Sequence, residues 1–123
     1  MADRTAGYAP HDHRLDYVMI ESATTAHDKG DLVNEGNVVG FAYSAVAITG
    51  RYRLDTEVPY YATKKVTAVA YAIGERVEFV APTSGTTGTV QKLVQGIGFA
   101  TVIEASTTSH TTVLVQPDRA LYL

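Results

Sequence analysis

Arg76-Val77-Glu78-Phe79-Val80, then Ala81-Pro82-Thr83-Ser84-Gly85-Thr86-Thr87-Gly88-Thr89, then Val90 to Val94, is the stretch on which the fold turns. In the first piece charged and apolar side chains alternate, the period-2 pattern of a strand with one wet face and one buried face. The second mixes two glycines and a proline with serines and threonines, residues that interrupt regular structure. The third returns to an apolar run. Strand, loop and strand in succession predict a β-hairpin.

The same grammar extends in both directions. On the N-terminal side, Leu15 to Ser22 is rich in β-branched and aromatic residues and predicts a first strand. His27-Asp28-Lys29-Gly30-Asp31 is a turn cluster, followed by the short apolar runs Leu32-Val33, Val38 to Ala42 and Ser44 to Ile48. Gly50-Arg51-Tyr52-Arg53-Leu54-Asp55 alternates again, and Pro59 closes that segment. Residues 64–73 have enough alanine for a short helix and enough valine and threonine for a strand, and Gly74 ends them either way. Beyond the hairpin lie Ile97 to Ile103, a polar loop at Ser106 to Ser109, and Thr111 to Val115. Short strands at regular spacing predict an all-β fold: a compact β-barrel or β-sandwich of antiparallel strands with at most one short helix. Residues 1–14 show neither periodicity and read as an extended or flexible arm preceding a single β-domain over 15–123.

Two pieces echo each other. Gly30-Asp31-Leu32-Val33 followed by Val39-Gly40-Phe41-Ala42 has a counterpart in Gly74-Glu75-Arg76-Val77 followed by Ile97-Gly98-Phe99-Ala100. The second copy is longer, with the excess in the glycine-rich 81–89 loop and just after it, where insertions are tolerated. Two related β-units on one core would account for this.

Composition narrows the function classes. At 123 residues, 46% apolar and 19% charged, the chain suits one folded domain. Ten scattered Lys and Arg and a net charge of −3 give no basic patch for nucleic acid. No apolar run is long enough for a membrane span and no signal-peptide core follows Met1, so a soluble protein made in a cytoplasm is expected. With no cysteine there are no disulfides, zinc thiolates or thiol nucleophile.

Gly30-Asp31-Leu32-Val33, Gly50-Arg51-Tyr52-Arg53-Leu54, Gly74 to Phe79, Gly88-Thr89-Val90, Ile97 to Ala100 and Thr112-Val113-Leu114-Val115, in that order over residues 15 to about 116, resemble the small capsid-cement or head-decoration proteins of phages. The resemblance implies an all-β virion protein on the capsid surface, with the major capsid protein as partner. It also implies self-association as a homotrimer, no cofactor, and no catalysis. A phage tail-tube or head-completion subunit, or a small-molecule-binding barrel, is the alternative.

The residues add their own candidates. Thr83-Ser84-Gly85-Thr86-Thr87-Gly88 has the look of a phosphate-gripping loop, but the lysine and proline expected after it are replaced by Thr89-Val90-Gln91, and a hairpin loop explains it. His11-x-His13, with His27-Asp28 or His110, has metal-ligand spacing on an arm whose ordering would cost entropy. No nucleophile elbow or triad context is present, and Glu75 and Glu78 fall on opposite faces of a strand, as solvent-side or turn charges. Eight tyrosines without tryptophan suit contacts that are part apolar and part hydrogen-bonded. Tyr60-Tyr61 after Pro59 is the first pair expected to meet a partner, together with Tyr8, His11 and His13 on the arm and Leu121 and Tyr122 in the apolar C-terminus.

Overall fold

The computed structural model describes residues 17–95 and 98–118. The 1–14 arm, with Tyr8, His11 and His13, and the C-terminal pair Leu121 and Tyr122 lie outside the described residues. Those described form nine strands and no helix: β1 Tyr17–Ile20, β2 Leu32–Glu35, β3 Val38–Ala42, β4 Tyr52–Asp55, β5 Tyr60–Thr63, β6 Arg76–Val80, β7 Thr89–Lys92, β8 Ala100–Glu104 and β9 Thr112–Pro117. The fold is all-β, as the alternation predicted.

The strands make two antiparallel sheets, one ordered β1-β4-β3-β2 and the other β5-β9-β8-β6-β7. They stack in a sandwich-like body and are not closed into a barrel. The second sheet curls until the end of β5 reaches β7, where Lys64 and Val90 form a parallel bridge and Lys65 N donates to Val90 O at 2.9 Å.

Without β7, the two sheets have one topology. β1, β2, β3 and β4 correspond to β5, β6, β8 and β9, and the hydrogen bonds repeat. In the first unit Asp28 N donates to Asp31 Oδ2 at 2.8 Å, Gly30 N to Ala42 O at 2.7 Å and Ala42 N to Asp31 O at 2.8 Å. In the second, Ala72 N donates to Glu75 Oε1 at 2.6 Å, Gly74 N to Val102 O and Val102 N to Glu75 O, both at 2.8 Å. The isolated antiparallel bridge His27–Val46 likewise answers Tyr71–Ser106. The chain is therefore an internal duplication whose second copy carries an inserted hairpin arm, β7. One detail of the sequence echo is corrected: Ala42 corresponds to Val102 and not to Ala100, a slip of two residues that keeps every side chain on its face.

Gly30 and Gly74 show why glycine recurs at the start of each unit. Both hold positive φ, +86° and +93°, in the turn that feeds β2 and β6, a conformation that costs other residues about 1–2 kcal/mol. Gly40 serves differently, because a Cβ there would run into the Asp55 carbonyl of neighbouring β4.

Side chains alternate as the strands require. β9 buries Val113, Val115 and Pro117 and turns Thr112, Leu114 and Gln116 outward. The second unit's core gathers Ala62, Tyr71, Val77, Val90, Phe99, Ala100, Val102, Val113 and Val115, and it also takes in Leu32 and Phe41 from the first unit. The first unit keeps a smaller core of Ala23, Val33, Ala42, Tyr52 and Leu54. Burying a valine or leucine fully is worth roughly 1.5–3 kcal/mol, so the shared cluster is the main cohesive element.

Two segments depart from the sequence reading. Ser44 to Ile48 is not a strand: only Val46 bridges, and Gly50 N donates to Ala47 O at 2.9 Å to close a turn with Thr49 at φ +67°. Residues 64–73 are neither helix nor strand. The Val69 carbonyl, which a helix would give to a backbone amide four residues on, accepts Lys64 Nζ at 2.7 Å instead. Tyr71 spends its backbone groups on Ser106 at 2.8 and 2.9 Å. The segment lies over the second unit as residues 21–29 lie over the first.

Candidate functional site

Tyr60 and Tyr61, adjacent in β5, point to opposite faces and part company. Tyr60 is half-buried, with its ring 3.7 Å from that of Phe41 at 18°, and its hydroxyl donates to Asp55 Oδ2 at 3.4 Å. Burial, and after it the nearby Asp55 carboxylate, pushes its phenol above the usual tyrosine range. Tyr60 is thus part of the junction between units. Tyr61 is 63% exposed and opens onto a shallow hollow of about 210 Å³ lined by Glu104, His110, Thr112 and Leu114 among others. The pairing register fixes the neighbours: Tyr61 faces Leu114 across β5–β9, and Leu114 faces Glu104 across a bulge in β8–β9.

The duplication places a matching surface on the first unit. Met19 pairs with Arg53 across β1–β4 as Tyr61 pairs with Leu114. The Arg53 guanidinium lies 4.4 Å from the ring centres of both Tyr17 and Tyr43, a cation–π arrangement. Its Nε donates to Asp55 Oδ1 at 2.7 Å, and this bond holds the guanidinium firmly charged. Tyr17 is 40% and Tyr43 55% exposed. Sequence reading missed this cluster. Arg53 was legible as a wet-face residue from its alternation with Leu54, but its two rings come from a strand and a loop that only the register brings together.

The remaining polar groups serve the scaffold. The nearly buried Glu35 carboxylate accepts from Tyr52 Oη at 2.9 Å and from Thr24 N at 3.2 Å, with His27 Nε2 3.8 Å away; this fastens the 21–27 loop to the sheet. Burial first, then the Glu35 hydrogen bond, pushes the Tyr52 phenol far above its ordinary value. Glu75 pairs with Lys92 Nζ at 3.2 Å, and Glu78 Oε2 accepts from Gln91 Nε2 at 2.8 Å, so these carboxylates sit apart as turn and surface charges. In the 83–88 loop, Thr87 Oγ1 accepts from Leu32 N at 3.0 Å, Gly88 N donates to Leu32 O at 2.8 Å, and Thr86 Oγ1 donates to Asp31. That loop is a clasp between the two units. Among the described residues no three metal-ligating side chains gather. His27 is buried in the first unit, whereas His110 lies on an exposed turn of the second with Nδ1 accepting from Thr107 N at 3.2 Å.

No helix among the described residues is long and apolar enough to cross a membrane. No family model, curated protein or solved structure matches the chain.

Proposed function

We propose that this protein is a phage capsid decoration protein, a structural subunit that binds the outside of a mature head and reinforces it, with the major capsid protein and further copies of itself as partners. The observation that carries this reading is the duplicated outward surface: each unit presents large exposed side chains around an equivalent strand pair, Tyr17 and Met19 of β1 with Tyr43 just after β3 in one, Tyr61 of β5 with Ile103 of β8 in the other. Aromatic and arginine side chains of this kind anchor protein–protein interfaces. Of the sequence pieces that resemble decoration proteins, Gly50 to Leu54 runs into β4 and Thr112 to Val115 lies on β9, the strands that carry Arg53 and Leu114. In this reading the work is adhesion to a repeating lattice, where several weak contacts per oligomer multiply into strong binding.

The test is co-sedimentation of the purified protein with undecorated mature heads of the phage that encodes it. Saturable pelleting at micromolar protein, with heads that then resist heat better, is the expected result. Protein left in the supernatant overturns the reading, as does assembly into long tubes without heads, which points to a tail-tube or head-completion role. Removing residues 1–14 is expected to weaken pelleting while leaving the thermal midpoint of the free protein unchanged.

A further inference from the structure

The two outward surfaces are equivalent in position and opposite in character. In the first unit the strand pair carries a cation, Arg53, flanked by the rings of Tyr17 and Tyr43. In the second, the corresponding pair carries the hollow beside Tyr61 and Leu114 with the Glu104 carboxylate at its side. One surface offers rings and a guanidinium, the other a recess and an anion.

We propose that copies of this chain associate head to tail, the Tyr17, Tyr43 and Arg53 surface of one copy seating against the Tyr61, Glu104 and Leu114 hollow of the next. Three features select a second copy as the occupant. The complement of each surface exists on the same chain. An arginine has five N–H donors, and Asp55 engages the one on Nε, so the Nη donors are the ones that meet a partner's carboxylate. A like-with-like contact would set Arg53 against Arg53, or Glu104 against Glu104, and like charges across an interface are penalised. A contact between two different surfaces is heterologous, and it closes into a ring when the rotation per copy divides a full turn. The proposal extends the self-association within the capsid reading, but it is tested on the free protein, so either can fail while the other stands.

The experiment uses Tyr43→Asp, which spoils only the ring-and-guanidinium surface, and Glu104→Arg, which spoils only the hollow. Masses are measured by analytical ultracentrifugation at about 100 µM, and folding is checked by circular dichroism. The wild type is expected to be oligomeric, with dissociation growing at least about tenfold as salt rises from about 0.05 to 0.5 M. Each variant alone is expected to be monomeric with wild-type strand content. An equimolar mixture is expected to form a one-to-one dimer, because it still holds one intact surface of each kind. If either variant fails to fold, Tyr17→Ser and Tyr61→Ser replace the pair, both being exposed positions. A monomeric wild type, a variant that keeps the wild-type mass, or a mixture that stays monomeric overturns the proposal.

Discussion

Lys64 Nζ donates to Val69 O at 2.7 Å, Thr107 O at 2.8 Å and Ser106 Oγ at 3.2 Å, and lies 5.5 Å from the ring centre of Tyr71, in a residue only 2% exposed. An ammonium has three protons, and here each has an acceptor. One side chain thereby ties β5, the 64–71 segment and the Ser106 turn together. Replacing it with the nearly isosteric methionine leaves two carbonyls and a hydroxyl without their donor, and hydrogen bonds to charged groups are worth about 1.5–3 kcal/mol each. Lys64→Met is expected to lower unfolding stability by about 2–4 kcal/mol, read as a shift in the urea midpoint at unchanged slope. Nothing in the sequence marked Lys64 as buried, since a lysine beside Lys65 reads as solvated surface.

At the scale of elements, the turns that open β2 and β6 use an acidic side chain to hold their own backbone. Glu75 accepts from Ala72 N at 2.6 Å and pairs with Lys92 at 3.2 Å, and that amide, followed by Lys92, holds its carboxyl below the usual glutamate range. A carboxyl lowered in the folded state stabilises it above the unfolded value of about 4.3, and this contribution fades as pH falls through the lower folded value. Glu75→Gln is expected to cost at most about 1 kcal/mol at pH 7, given the partly exposed site. The gap from wild type should close below about pH 4, as thermal melts across pH will show. Strand and turn positions of this kind were readable in the sequence because glycine plus acid plus alternation is a local signal. The 44–48 and 64–73 segments were not, because Val46 and Tyr71 bond to partners far along the chain, His27 and Ser106.

For the molecule as a whole, the junction between units decides cooperativity. Leu32 belongs to β2, yet its side chain sits in the second unit's core and its backbone is gripped by Thr87 and Gly88 of the inserted arm. Tyr60 stacks on Phe41 across the same junction. The wild type is expected to unfold in one step. Leu32→Ala is expected to cost about 2–5 kcal/mol and to split the transition, which calorimetry and tyrosine fluorescence would report as non-coincident curves. The amino-acid sequence by itself determined the all-β class, most strand positions and the repeat, since alternation and turn glycines act within a few residues of one another. Tertiary structure alone decided that the repeat is two whole sheets, that β7 is the insertion clasping them, that Tyr60 goes inward while Tyr61 faces out, and that Tyr17, Tyr43 and Arg53 meet. Those outcomes depend on register and on which unit covers which face, and register is fixed by contacts between residues distant in the chain.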